Sequence, residues 1–468
     1  MTQTIRKNLN DHAWARWSAM LLIALMMLFA HMFVDVISPL KELIQVQRGW
    51  TSDVFGTYAG SEYLLNVWGF LIVAGIILDK MGLRFTGELS ALIMFAGACI
   101  KYYAISDAFI GSGFEAWLNS WWVAMPGSAK LASLGFMIFG CGCEMAGITA
   151  SKAMAKWFEG KEMALAMGLE MALARVGVFF IFTISPRIAG IGGADPSVVR
   201  PVAFCTALLL IGLLCYTIFC VMDKKLDKQL GETASGDSEE EFKISDIGKI
   251  FSSRLFWIVA MLCVLYYSAI FPFQKFAANM LQSNLGISAT AAADIFRWFP
   301  IGAACITPFL GWYLDRKGKG ATMLILGSLL MIICHSIFAL VLPAIPSKAI
   351  AFSAIILLGI SFSLVPAALW PSIPKIMDKR YLGSAYSLIF WVQNFGLSGT
   401  PIIIGYALEK SNPGVAEQIA AGVEGATYNY TVPMLLFASL GVMALLFALW
   451  LKADDKRNHY GLEEPNIK

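Results

Sequence analysis

The chain has 468 residues, of which 58% are apolar and only 14% are charged, and its mean hydropathy is +0.68. Because a soluble domain usually carries about 25% charged residues, this composition indicates an integral membrane protein. Lysine and arginine number 35 against 32 acidic residues, so no basic excess indicates nucleic-acid binding. The nine cysteines lie mostly within apolar segments and form no zinc or iron–sulfur ligand pattern, so we predict no metal and no other cofactor.

Apolar segments long enough to cross a bilayer, about 20 residues each, recur along the whole chain. A polar stretch at 223–250 divides them into two groups of six, and its centre has the composition of an unfolded linker. We predict an all-α membrane protein with one six-helix bundle in residues 1–222 and a second in residues 251–468. The twelve predicted transmembrane helices are 17–38, 53–78, 85–106, 129–155, 162–188, 199–222, 254–281, 291–313, 320–343, 348–375, 381–408 and 430–452.

Lysine and arginine residues cluster in the short loops on one side of the predicted bundle. Such loops usually face the cytoplasm, so we predict that both termini and the central linker are cytoplasmic. The first residues are polar and the first apolar segment is long enough to span a bilayer. No cleavable signal peptide is therefore expected.

A short repeat relates the two halves. The second span ends in GIILDKMGLR, which contains Asp79, Lys80 and Arg84, and the eighth ends in GWYLDRKGK, which contains Asp315 and Arg316. An acid at a helix end can meet a positive helix terminus or an arginine of the opposite half, so these residues are our candidates for a gate. The repeat resembles the loop signature of the major facilitator superfamily. That resemblance implies two pseudo-symmetric six-helix bundles that work by alternating access.

Two apolar helices around the turn at 157–162 each carry one charged residue at matched depth. Glu144 precedes the turn and Arg175 follows it by about 15 residues, which is about 23 Å at the rise of an α-helix. A charge at that depth is costly unless it is paired or faces a wet cavity. The two residues can therefore form a mutual ion pair that fixes the helices, or they can bind a zwitterion.

Other polar residues also lie within the predicted spans. Tyr266, Tyr267 and Trp370 would supply apolar and cation–π contacts to a substrate. Lys101 lies near the outer end of the third span, where a lysine can extend its amine to the membrane interface. The remaining candidates are Glu62, Tyr63, Asn66, Lys275, Arg297, Gln393 and Asn394 for substrate binding, and His31, Asp35 and Glu170 for proton binding.

Three segments resemble one subgroup of the major facilitator superfamily, the lysosomal dipeptide uniporters and their bacterial relatives. They are GKE…ARVG at 160–177, YYSAIFPF at 266–273 and ALWP…QNFGL at 368–397. The resemblance implies a dipeptide whose amino terminus is held by Glu144 and whose carboxylate is held by Arg175. No acidic dileucine signal precedes the first span, and the short polar N-terminus fits a bacterial inner (plasma) membrane protein. Three charged residues are additional to the family pattern: Lys275, Arg297 and Glu170.

We therefore predict a transporter rather than an enzyme, since the chain has no HExxH or GxSxG motif. The expected substrate is a dipeptide or a similar small zwitterion, carried across the lipid bilayer by a monomer. Two alternatives stay open. One is a proton-coupled symporter of an organic anion or sugar, in which Glu62, Glu144 or His31 would titrate. The other is a membrane receptor without flux.

Overall fold

The computed structural model describes residues 8–121, 123–230, 247–377 and 382–465. Most of these residues are helical, and no β-strand occurs among them. A bilayer core offers no water to backbone N–H and C=O groups, so a helix that satisfies its own backbone is the natural way across it. The centre of the predicted linker, residues 231–246, lies outside the described residues.

Nineteen α-helices make up the described part of the chain. In chain order they are α1 Ala13–Val34, α2 Lys41–Arg48, α3 Ser52–Ser61, α4 Leu64–Val67, α5 Phe70–Ile105, α6 Gly113–Asn119, α7 Gly127–Phe158, α8 Met163–Ile188, α9 Val199–Leu230, α10 Ile247–Phe251, α11 Arg254–Leu285, α12 Ala289–Phe296, α13 Trp298–Lys317, α14 Gly320–Ser336, α15 Leu342–Ala344, α16 Lys348–Ile376, α17 Leu382–Ser411, α18 Val415–Ala420 and α19 Thr431–Asn458.

Ten segments of the described chain are long and apolar enough to cross a membrane, and each matches one predicted span. The other two predicted spans, the second and the eighth, are interrupted. The second is divided into α3, α4 and the start of α5 by breaks at Glu62 and at Gly69, whose φ is +93°. The eighth is divided into α12 and α13 at Arg297. The twelve-span prediction is confirmed. Of the three breaks, those at Glu62 and Arg297 occupy corresponding positions of the two halves.

Gly82 separates the second span from the third within α5. This helix has 36 residues and would be about 54 Å long if straight, against about 30 Å for a bilayer core. Gly82 has φ +78° and ψ 173°, a conformation that a residue with a Cβ rarely adopts. The chain therefore turns sharply at this glycine, inside the GIILDKMGLR repeat.

The first and last described residues, 8 and 465, lie on one side of the membrane, here called the terminal side, because an even number of spans separates them. On this side Lys161 donates a hydrogen bond to Asp11 at 2.8 Å, and Arg16 donates to Glu162 at 3.0 Å. These bonds lower the pKa of the Asp11 and Glu162 carboxyl groups. A lowered carboxyl pKa means that the contact is present at neutral pH and lost as the pH falls through that pKa.

The two halves pack closely on the other side of the membrane, here called the opposite side. Helix α3 of the first half lies against α17 of the second, with Gly56 facing Gly405. A Cβ added to Gly405 would lie 2.9 Å from the Gly56 Cα, which is closer than real Cβ atoms come. On the same interface, Ser398 donates a hydrogen bond to the Gly60 carbonyl at 2.9 Å. The opposite side is therefore closed in this conformation.

Gly405→Ala should shift the protein away from the closed state, because the added methyl group collides with α3. The matched control is Gly399→Ala on the same helix, where an added Cβ meets nothing within 4 Å. Both changes raise helix propensity equally, by about 1 kcal/mol. The measurement is the distance distribution between spin labels at the exposed residues Val46 and Val423. Identical distributions for the two variants would contradict the glycine contact.

Candidate functional site

Glu144 and Arg175 lie on the consecutive helices α7 and α8, as predicted, but they do not bond to each other. No ion pair or hydrogen bond joins them among the described contacts, and both side chains are half-buried. The Arg175 Nη1 atom is buried and has no hydrogen-bond partner. Its guanidinium carbon lies 4.9 Å from the ring centroid of Phe362, across the interface between the halves. The interpretation as a mutual ion pair is therefore wrong for this conformation.

Helix α7 brings Glu144 to the break in the second span. Gly140, one turn before Glu144, packs so closely on this break that an added Cβ would lie 3.2 Å from the Glu62 Cγ. Tyr63 is the next residue of the break and is half-buried. No hydrogen bond of Glu144 is seen in the described part of the chain. A carboxylate thus lies beside an interrupted transmembrane helix, an arrangement found at transporter binding sites.

An aromatic cluster of the second half faces Arg175. Tyr267 stacks on Phe271 at 5.6 Å between ring centroids, and Phe271 meets Phe362 edge to face, also at 5.6 Å. The indole of Trp370 donates a hydrogen bond to the Tyr267 hydroxyl at 3.2 Å and stacks on Phe390 at 4.8 Å. We call these five residues the aromatic wall. The sequence does not identify Phe362 and Phe390 as site residues, because the position of a phenylalanine in an apolar helix does not show whether it faces lipid, the core or a binding site.

Tyr266 does not belong to the aromatic wall. It is fully buried, its hydroxyl bonds to Ser361, and it lies 3.4 Å from the position of a Cβ added to Gly327. Consecutive helical residues point about 100° apart, so Tyr266 and Tyr267 cannot share a face. Tyr266 packs the second bundle internally, whereas its neighbour faces Arg175. The structure thus brings only one of the two predicted tyrosines to this site.

Lys275 joins the two halves through a buried ionic cluster. Its Nζ lies 3.0 Å from Glu62 Oε2 and 3.3 Å from Asp35 Oδ1, and it donates to the Val34 carbonyl at 3.0 Å. Gln274 donates a second bond to Asp35. The lysine side chain is only 6% exposed. Lys275, Glu62 and Asp35 form what we call the Lys275 cluster. They were predicted separately, as substrate and proton sites, and the structure joins them to one another.

Two buried asparagines flank the contact between α4 and α17. The Trp391 indole donates to the Val67 carbonyl at 2.8 Å and fixes these helices side by side. Both amide atoms of Asn66 and the Oδ1 atom of Asn394 are buried without a hydrogen-bond partner. Gln393, by contrast, accepts a hydrogen bond from a cysteine of its own half. Asn66 and Asn394 therefore keep free hydrogen-bonding capacity near the centre of the protein, and Gln393 keeps less.

The remaining candidates lie apart from one another. His31 bonds through Nδ1 to the Met27 carbonyl of its own helix at 2.8 Å. Arg297, at the break in the eighth span, pairs with Asp294 at 2.9 Å and lies over two aromatic rings. Glu170 is half-buried on α8, and no bond of its carboxylate is seen in the described region. Since it lies five residues from Arg175, the two do not share a helix face.

Two gate candidates of the first half, Asp79 and Arg84, are bonded within that half. Asp79 pairs with Lys152 of α7 at 3.0 Å, and both side chains are exposed. In this conformation Asp79 therefore pairs with a lysine of its own half and not with an arginine of the opposite half. Lys80 is exposed, and in the second repeat Arg316 lies over the Trp312 ring at 5.1 Å. Asp315 ends the corresponding span at the end of α13.

Arg84 belongs to a partly exposed ionic network at the terminal side, in which Asp223 is buried. It pairs with Asp223 at 3.1 Å and with Asp227, and Lys156 reaches the same acids at 2.7 and 2.6 Å. Trp157 donates its indole hydrogen to Asp223 at 3.0 Å. The predicted linker starts at residue 223, whereas α9 continues to Leu230. The spacing of the two aspartates, one helical turn apart, was the available signal for that extension.

The model of the major facilitator superfamily matches residues 21–401 and 276–466. The chain belongs to this superfamily. It is therefore a multi-pass membrane transporter rather than an enzyme. Its fold is similar to that of a bacterial homologue of the human lysosomal transporter Spinster, in an inward-facing and occupied conformation. That comparison has a TM-score of 0.69 at 15% identity and covers 94% of this chain and 97% of the other.

A second solved structure, the nucleoside transporter NupG, has a TM-score of 0.65 at 14% identity and covers 93% of this chain and 99% of its own. At these identities the likeness shows the fold alone.

Among curated proteins, the chain is 27% identical over 376 residues to the lysosomal dipeptide transporter MFSD1 of Danio rerio, covering 79% of this chain and 75% of the relative. The human protein of that name is 28% identical over 290 residues, 60% of each chain. A probable sulfoacetate transporter of Cupriavidus necator is 24% identical over 325 residues, covering 64% of this chain and 68% of the relative.

Asp223→Asn should destabilise the first bundle by about 2–3 kcal/mol, because it removes a buried charged acceptor of two cations and an indole. Asp227→Asn should cost less, since Asp227 is partly exposed. Asp79→Asn should cost less than about 1 kcal/mol, because its ion pair is exposed. The measurement is the free energy of unfolding in mixed micelles. Equal losses for Asp223 and Asp79 would show that the network does not support the bundle.

Proposed function

We propose that this transporter carries a dipeptide or a similar small zwitterion, with Glu144 binding the ammonium group and Arg175 the carboxylate. The observation that carries the proposal is the pair of opposite charges on adjacent helices with no bond between them. Each charge would be costly at this depth without a partner. A zwitterion supplies both partners at once, and a guanidinium binds a carboxylate with two parallel hydrogen bonds.

The aromatic wall supports the same substrate class. It covers the side of the site that faces Arg175, and its rings offer apolar surface to the side chains of a small peptide. Asn66 and Asn394 carry buried amide atoms without partners, which suit the polar backbone of a peptide. We therefore include both asparagines, Tyr63, Tyr267 and Trp370 in the proposed site.

The names of the relatives agree with this proposal. Several proteins that are 25–29% identical to this chain are named lysosomal dipeptide transporters. We further propose that the chain acts as a monomeric uniporter in a bacterial inner membrane, with the terminal side in the cytoplasm. The lysines near the turn between α7 and α8 support that orientation. In this scheme residues 1–222 and 251–468 move as two bundles, and the residues of the loop repeat gate the terminal side.

A proton-coupled symporter of an organic anion is the second candidate. Arg175 offers a cation without a hydrogen-bond partner on Nη1, and one relative is named a probable sulfoacetate transporter. Glu170 on the same helix has a half-buried carboxylate that would bind the proton in this scheme. Uptake into proteoliposomes with and without a proton gradient separates the two candidates, because a uniporter needs no gradient.

Glu144→Gln and Arg175→Gln should lose affinity for different ends of a dipeptide. Glu144→Gln should weaken binding of free dipeptides about ten- to a hundredfold, or about 1.5–3 kcal/mol, because one charged hydrogen bond is lost. It should weaken binding of N-acetylated dipeptides much less. Arg175→Gln should show the opposite preference and spare C-terminally amidated dipeptides. The measurement is calorimetric binding of the three ligand forms to each purified variant.

Glu170→Gln is the matched control, because it removes a half-buried carboxylate from the same helix as Arg175 without touching the proposed site. Its affinities should respond to end-capping as those of the unmodified protein do. The proposal fails if all variants respond equally to end-capping. It also fails if the double variant of Glu144 and Arg175 is more stable than either single variant, since that is the behaviour of a structural ion pair.

A further inference from the structure

Lys101 is a buried lysine that the proposed binding site does not use. The sequence predicted that its amine would reach the membrane interface, but the residue is 0% exposed and its Nζ has no hydrogen-bond partner. Three rings of the same half surround the amine instead. The Nζ lies 4.2 Å from the ring centroid of Phe33, 4.4 Å from that of Phe136 and 5.2 Å from that of Tyr58. Aromatic faces attract a cation that lacks a carboxylate.

Lys101 lies beside the Lys275 cluster. The Lys275 Nζ is 5.4 Å from the centroid of Phe136, the ring that Lys101 also contacts. The two nitrogens are therefore no more than 9.8 Å apart, which is the sum of their distances to that centroid. Two cations thus lie close to the two carboxylates of Glu62 and Asp35. Of these two cations, only Lys275 is bonded to the carboxylates in the closed conformation.

The division of this cluster between the halves creates a charge problem for transport. Glu62 and Asp35 belong to the first half, whereas Lys275 belongs to the second. Alternating access requires the halves to separate on the opposite side, and that movement withdraws Lys275 with α11. Two buried carboxylates would then remain in the first half without a cation. Breaking a buried ion pair in this way strongly disfavours the resulting state.

We propose that Lys101 replaces Lys275 as the cation of Glu62 and Asp35 when the opposite side opens. Lys101 already lies in the same half as both carboxylates, and a flexible four-carbon stem lets its amine change partners. The aromatic rings hold this ammonium group while the opposite side is closed. Each conformation then provides one ammonium group for the two acids. The exchange depends on the movement of the halves and not on the identity of the substrate.

The test is the population of the open state, measured with spin labels on non-canonical residues at positions 46 and 423, so that native cysteines stay unlabelled. Lys101→Met should lower the open fraction by at least about tenfold, because the open state loses its cation. Lys275→Met should raise the open fraction, because the closed state loses its ion pairs while Lys101 remains. Lys101→Arg keeps the charge and should stay close to the unmodified protein.

A background with Glu62→Gln and Asp35→Asn separates this exchange from a simple packing role of Lys101. Without the two carboxylates, Lys101→Met should no longer change the open fraction. An equal fall in both backgrounds, or no fall in the unmodified background, would overturn the proposal. Size-exclusion chromatography shows whether each variant is folded. If Lys101→Met does not fold, Lys101→Gln is used in its place. Dipeptide affinity is measured in a separate experiment. Its outcome tests the proposed substrate and does not bear on the exchange of Lys275 for Lys101.

Discussion

The ion pairs of Lys275 with Glu62 and Asp35 hold the two halves together inside the membrane. They connect α11 of the second half to α1 and to the break in the second span of the first. Beyond them, towards the opposite side, the glycine contact of α3 and α17 brings the backbones together. The ion pairs are strengthened by the low dielectric constant of the region, and the glycines allow the two helices to pack closely. Both interactions favour the closed conformation. Any opening of the opposite side must break this contact and satisfy these charges in another way.

Glu144 and Arg175 contrast with that cluster. They lie on neighbouring helices of one half, so a movement between the halves does not separate them. Neither is bonded to the other, and Arg175 instead faces an aromatic surface of the second half. A substrate that bonded to both residues and touched the aromatic wall would therefore contact both halves. That geometry links binding to the movement of the halves, which a site within one half alone would not do.

The breaks in the second and eighth spans connect the fold to its charges. In an unbroken span Glu62 and Arg297 would lie within one continuous helix, whereas each of them lies at a helix end, although its own φ/ψ angles stay in the helical region. A helix end at membrane depth leaves backbone groups without partners in the same helix, which is tolerated only where protein or a cavity covers them. The two breaks occupy corresponding places in the pseudo-symmetric halves but have different partners. Glu62 joins the halves through Lys275, while Arg297 pairs with Asp294 on its own segment.

The amino-acid sequence by itself determined the number of spans, the division into halves and the superfamily. Span length, loop charge and the Asp79 and Asp315 repeat are local properties of the chain, and bilayer thickness converts them into a fold. It also identified most of the charged residues inside the membrane, because such residues are conspicuous in apolar segments. Only the tertiary structure decided their partners: that Lys275 meets Glu62 and Asp35, that Lys101 is buried among rings, and that Glu144 and Arg175 stay apart. Those partners lie on helices distant in sequence, and helix rotation and the conformation of the two halves select them.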